Sequence, residues 1–213
     1  MRGMGKILDR IETPYVDCQT LLAHLSDYRN PRDWIARMVK KGELMRLKNG
    51  FFIITSRFRR GKIDYPFEQV ANLLYGPSYI SLEWALSFYQ FIPERVSVVT
   101  NVTVGSNKEF ATPIGIFSYR HLSRSRYSIG IDRREIGGQV GGFLIATPEK
   151  ALADWLFFTC EDMSEEELLQ DLLEAKRIEM ESLQTLDKVM MEEIAQSYKS
   201  KIVEKLYSII KDL

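Results

Sequence analysis

The stretch from Asn30 to Thr55 constrains the fold of this chain more than any other. Asn30-Pro31 has the form of a helix start, a capping residue followed by proline at the first helical position, where a missing N–H costs nothing. Trp34, Ile35, Met38 and Val39 then recur on one helical face. The pattern stops at Gly42, a residue suited to a left-handed C-terminal cap. Residues 44–48 and 51–55 are strand-like and flank Asn49-Gly50, the pair favoured in a type I′ hairpin because both turn positions need positive φ. Upstream, the spacing predicts a short helix over 5–11, interrupted by Thr13-Pro14. A second helix is predicted after an Asp17 cap, carrying Leu21, Leu22 and Leu25. Three short helices followed by a hairpin is the order of a winged helix-turn-helix.

Charge gives that unit a direction. The net charge is zero, yet residues 1–62 hold fourteen Lys/Arg against six Asp/Glu, a balance of +8 that the remainder cancels. Asymmetry of this kind points one end of a chain at a polyanion. On a helix-turn-helix the second helix of the motif enters the major groove. The helix after Asn30 leaves Arg32, Asp33, Arg37, Lys40 and Lys41 outside its apolar face, and the hairpin adds Arg46, Lys48 and Asn49 at a wing position. Arg32, Arg37, Lys40, Lys41, Arg46, Lys48 and Asn49 are therefore the candidate contacts to double-stranded DNA. Arginine suits guanine edges, while lysine supplies charge to phosphate. The alternative is a small helical domain with an ordinary charged surface that binds protein.

Beyond a polar, basic linker at 56–66, helices are predicted over 67–75 and 82–91. Strands are predicted over 95–100, 112–121, 126–131 and 140–146. Thr147-Pro148 repeats the cap-then-proline signature ahead of Ala151, Leu152, Trp155 and Leu156, and Ser164 heads an acidic first turn in a helical tail. The expected architecture is α+β. A winged helix over 1–60 precedes a mixed domain over 61–213, with helices around a small antiparallel sheet and a helical C-terminal tail. A second basic cluster, Arg120, Arg124 and Arg126, falls where one strand turns into the next. It is a candidate partner-binding site, with a solvated hairpin tip as the alternative.

The chemistry of enzymes is poorly represented. There are two histidines, His24 and His121, and two distant cysteines, Cys18 and Cys160, that read as reduced thiols rather than a disulfide or zinc site. No nucleophile elbow or P-loop occurs, and the glycines at 137–142 precede a strand, as in a hairpin turn. No catalytic residue, metal or cofactor is expected. Neither a signal peptide nor a spanning segment is apparent, so a cytoplasmic protein with no membrane partner is expected.

Tyr79-Ile80-Ser81-Leu82-Glu83-Trp84-Ala85-Leu86-Ser87-Phe88-Tyr89, the run from Val96 to Thr100, and Ala146-Thr147-Pro148-Glu149-Lys150-Ala151-Leu152-Ala153-Asp154 together resemble the AbiEi-type antitoxins, also described as predicted transcriptional regulators of viral defence systems. The resemblance runs from about Ile7 to Phe158. It implies an N-terminal DNA-binding domain acting on the promoter of its own operon. It also implies a C-terminal antitoxin domain that counters a nucleotidyltransferase-like toxin encoded in the same operon. Two other readings stay open at this point: a winged-helix regulator whose second domain senses a small ligand, and a nucleotide- or RNA-handling enzyme.

Overall fold

A computed structural model describes residues 5–57, 67–135 and 141–213. The predicted basic linker falls largely on 58–66 and part of the glycine-rich turn on 136–140, outside the described residues. The chain is α+β, with a three-stranded sheet near its start, a six-stranded sheet in its middle and helices to its end.

The N-terminal unit runs α1 (Gly5–Asp9), β1 (Tyr15–Asp17), α2 (Cys18–His24), α3 (Pro31–Lys40), β2 (Leu44–Lys48) and β3 (Phe51–Ile54). Asp17 caps α2 as expected, its carboxylate accepting from Thr20 N at 2.7 Å. Gly42 has φ +67°, the left-handed residue that ends α3. Strand β1 was not legible because three residues show no alternation. It completes an antiparallel sheet in the order β1-β3-β2. The hairpin also differs from expectation. Only Gly50 has positive φ, and the ladder shifts register between Arg46 and Lys48, so a bulge replaces the two-residue type I′ turn.

This small sheet is buried on both faces. Val16, Leu44, Phe52 and Ile54 pack with Leu21, Trp34, Ile35 and Met38 of the helices. Leu47, Phe51 and Ile53, with Tyr15 and Met45 beside them, belong instead to the main core. The pairings Leu44↔Ile54 and Met45↔Ile53 set the two faces by simple alternation. A helix-covered hairpin with a wet outer face would read polar at every second residue; β3 is Phe-Phe-Ile-Ile because it has no wet face.

The central sheet has the order β6-β7-β5-β4-β9-β8. Its strands are β4 (Ser78–Ile80), β5 (Val98–Thr103), β6 (Lys108–Thr112), β7 (Gly115–His121), β8 (Ile131–Glu135) and β9 (Gly142–Ala146). It is mixed, not the small antiparallel sheet expected: β5 runs parallel to β7 and β4 parallel to β9. The β6–β7 hairpin places β7 between β6 and β5, and such ordering rests on pairings distant in sequence that no local pattern encodes. The strand expected over 126–131 is also corrected. Residues Arg124–Tyr127 form a short helix, α6, and β8 begins only at Ile131.

Helix α4 (Phe67–Leu74) covers one face of the sheet, where Tyr119 donates to Ala71 O at 2.6 Å. Helices α5 (Leu82–Phe88) and α7 (Pro148–Thr159) cover the other. Thr147 caps α7, and Ser164 and Glu167 form a complete capping box on α8 (Glu165–Gln170). A π-helical turn over Asp171–Ala175, then α9 (Met180–Gln184), α10 (Lys188–Tyr198) and α11 (Lys201–Asp212), make up the helical tail. Among the described residues no helix is long and apolar enough to cross a membrane.

Candidate nucleic-acid interface

Helix α3 buries Trp34, Ile35 and Met38 against the first two helices and turns its remaining positions outward. Arg32, Asp33, Ala36, Arg37 and Lys40 are exposed, as is Lys41 just beyond. A 3.6-residue repeat places residues 32, 33, 36, 37 and 40 on one stripe. Within it Arg37 Nε donates to Asp33 O at 3.3 Å, which engages one of the guanidinium nitrogens on the backbone of the preceding turn. Arg46 is exposed on the sheet face that packs against the helices, its guanidinium 5.6 Å from the Phe52 ring centre. Asn49 is exposed at the hairpin tip, where Cys18 N donates to Gly50 O at 2.8 Å and ties the tip to the start of α2.

Lys48 departs from this group. Its ammonium donates to Leu74 O at the C-terminal end of α4, and burial lowers its pKa from the usual lysine value. A lysine on the last carbonyls of a helix satisfies an acceptor that helix geometry leaves open. Lys48 thus ties the hairpin to α4 through its ammonium.

The second basic cluster is dispersed as well. Arg126, on α6, donates from Nε to Tyr198 O at 2.7 Å and lies 4.8 Å from the Phe157 ring centre. Arg120, on β7, donates to Phe158 O at 3.3 Å and stacks on the Phe158 ring at 5.5 Å. Both close the ends of helices, α10 and α7. Arg120 and Arg124 are exposed and Arg126 is half-buried. The three do not form one hairpin-tip patch.

Sequence reasoning missed the polar centre of the main domain. Lys150 and Asp154 are fully buried on α7, with Nζ and Oδ1 3.5 Å apart. Asp154 accepts from Tyr79 Oη at 2.9 Å, from Ser81 Oγ at 2.6 Å, and from Tyr198 Oη. Lys150 donates to Tyr198 Oη at 2.6 Å and to Arg126 O. Every polar end is matched, as a buried ion pair requires. Nearby, Glu149 accepts from Asp187 N at 2.9 Å and caps the approach to α10. A signal was available: Lys150 and Asp154 stand four apart on a helix whose other core positions are Ala151, Leu152, Ala153 and Leu156.

Burial sets the protonation of this centre. It lowers the Lys150 pKa, against the pull of Asp154, and raises Tyr79 and Tyr198 well above the ordinary phenol value. Burial also raises Tyr119, and takes Tyr127 to about 12. A phenol whose folded pKa is raised adds stability that is whole below the unfolded value of 10 and is lost as pH climbs through the folded value. Lys150 acts in the opposite sense between its lowered pKa and 10.5. Burial raises Tyr15 and Tyr89 as well and lowers Lys48 beside Lys150; with six phenols against two amines, the urea midpoint is expected to fall progressively above pH 10. A midpoint that held or rose from pH 9.5 to 11.5 would contradict the burial of these phenols.

An open groove of about 1070 Å³ is lined by residues of α5, β5, β6, β7 and α7 and of the segments beside them. Val98, Thr100, Ser118, Arg120, Trp155 and Lys176 are among the residues that line it. Among the described residues, no group of three or more His, Cys, Asp or Glu is disposed to hold a metal ion. Cys18 and Cys160 are free thiols. The chain matches no model of a known protein family, and no curated protein matches it.

Proposed function

We propose that this protein is a DNA-binding transcriptional regulator. Its N-terminal unit acts as a winged helix-turn-helix, with α3 in the major groove of double-stranded DNA. The observation that carries the reading is the α3 stripe: Arg32, Arg37 and Lys40 exposed on one face of a helix whose opposite face is locked by Trp34, Ile35 and Met38. The helix–strand–helix–helix–hairpin order and the β1-β3-β2 sheet support the winged-helix assignment. Arg46 extends the cationic surface from the hairpin. The resemblance to the AbiEi-type antitoxins supports a place in a toxin–antitoxin operon of viral defence. There the chain would repress its own promoter and counter a nucleotidyltransferase-like toxin.

The test is binding of the full-length protein to duplex DNA from upstream of its gene and to random duplex, across a range of salt. Each phosphate neutralised contributes about −0.9 to the slope of log K against log salt. Arg37→Ala is expected to lose about 1–3 kcal/mol of discrimination between the two DNAs. Lys48→Ala is expected to leave the salt slope unchanged and lower the unfolding midpoint instead, because its ammonium is engaged on α4. Equal losses on both DNAs for Arg37→Ala would remove the base-reading role. A flattened slope for Lys48→Ala would return that residue to the DNA surface.

The groove favours a second reading, in which the main domain senses a small ligand. A ligand that changes operator affinity in the wild type but not in a Trp155→Ala variant would establish it.

A further inference from the structure

Resting on the DNA reading above, we infer that Asp33 is a sequence-specifying residue, and that α3 reads a cytosine and a guanine one or two base pairs apart through Asp33 and Arg37. An acid does not belong on a surface whose task is phosphate binding, since it repels every DNA equally. Asp33 nonetheless sits in the middle of the cationic stripe, exposed, in the first turn of α3. Its carboxylate has no hydrogen bond or ion pair among the described residues; its backbone carbonyl alone is engaged, by Arg37 Nε.

A structural role would look different, and α8 shows how. There Glu167, also three residues after its N-cap, reaches back to Ser164 N at 2.8 Å while Ser164 Oγ accepts from Glu167 N. Asp33 stands at the same position after Asn30, yet α3 has no side-chain capping bond. What remains for structure is the helix dipole, worth about 0.3–1 kcal/mol at an exposed site.

The chemistry of base edges fits the free carboxylate. In the major groove cytosine presents an N4 amino donor, which aspartate accepts; guanine presents O6 and N7, which arginine takes together. Residues four apart on a helix are separated by about 6 Å along its axis. Base pairs are about 3.4 Å apart, so Asp33 and Arg37 reach pairs one or two steps apart. Ala36, exposed between them, offers a methyl of the size that contacts a thymine C5-methyl. Recognition helices use their N-terminal residues for base contacts, and the three lie in the first two turns.

The experiment is selection of bound sequences from a random duplex pool by the full-length wild type, Asp33→Ala and Asp33→Asn, with unfolding midpoints measured for each. The wild type is expected to enrich a site with a C·G preference one or two positions from the guanine lost in Arg37→Ala. Asp33→Asn is expected to move that preference from cytosine to adenine, because an amide pairs with adenine N6 and N7. Asp33→Ala is expected to relax the position and bind random duplex more tightly, a sign opposite to that of every cation on the stripe. If both variants enrich the wild-type site unchanged and differ only in midpoint, Asp33 is a helix-dipole residue and the inference fails while the DNA reading stands. If the wild type enriches nothing and binds random duplex no better than an Arg32→Ala/Arg37→Ala/Lys40→Ala variant, the DNA reading itself fails.

Discussion

Removing either charge of the buried pair is expected to cost about 3–5 kcal/mol, because the partner is left as an uncompensated ion in the core. At this chain length each kcal/mol moves the melting temperature by roughly 2–4 °C, so Asp154→Ala or Lys150→Ala should melt about 6–20 °C below the wild type. The two losses should not add. Asp154 gathers Tyr79, Ser81 and Tyr198, while Lys150 gathers Tyr198 and the Arg126 carbonyl, so each deletion disables much of the same network. Lys150→Met with Asp154→Leu removes both ions and refills the volume, and is expected to recover part of the loss relative to either single alanine. Additive losses in the double-alanine variant, or melting within 2 °C of wild type for a single one, would mean that the pair is not closed to water. Gly130 packs against the aliphatic stem of Lys150. At φ +73° it brings its backbone so close that a Cβ would stand 2.7 Å from that of Lys150, and its carbonyl accepts from Thr147 N at 2.8 Å. Only glycine fits there.

Phe51→Ala is expected to be the most damaging substitution in the N-terminal unit relative to its distance from α3. Truncating a buried phenylalanine costs about 3–5 kcal/mol, and Phe51 packs on the main-core face of the small sheet with Ile53 and Leu47. Its neighbour Phe52 points the other way, into the helices. Because one three-stranded layer serves both cores, the wild type is expected to unfold in a single transition despite its two apolar clusters. Phe51→Ala should weaken that shared layer and split the transition, with the N-terminal unit melting first. Calorimetry would register this as a van't Hoff enthalpy falling below the calorimetric one in the variant. Two transitions already present in the wild type would show that the layer does not couple the cores.

Much of the N-terminal unit was written in local chemistry. Asp17 before α2, Pro31 at the start of α3, Gly42 after it and Gly50 in the hairpin each act through their own backbone angles or hydrogen bonds a few residues away, whereas the Asn30 side chain makes no capping bond. The charged stripe of α3 was legible for the same reason, since its apolar face follows a fixed period. The helix start at Thr147-Pro148 and the Ser164 cap belong to this class as well.

Contacts between distant segments decided the rest. The hairpin residues 44–54 look alike in sequence on both faces; alternation separates Phe51 and Ile53 from Phe52 and Ile54, and only the tertiary structure decided that the first pair joins the main core and the second the helices. Lys48 and Arg46 are two basic residues on one strand, yet a bulge and a helix end 26 residues away send one inward and leave the other exposed. Arg120, Arg124 and Arg126 are neighbours along the chain, but the carbonyls of Phe158 and Tyr198 draw the first and last apart. The same holds for Lys150 and Asp154, whose partners come from β4, α6 and α10. Sequence determined where helices begin, which faces are apolar and where positive charge collects, because those depend on neighbours within about one turn. Strand order, and which polar groups meet in the core, were fixed only when segments tens of residues apart had to satisfy each other's hydrogen bonds away from water.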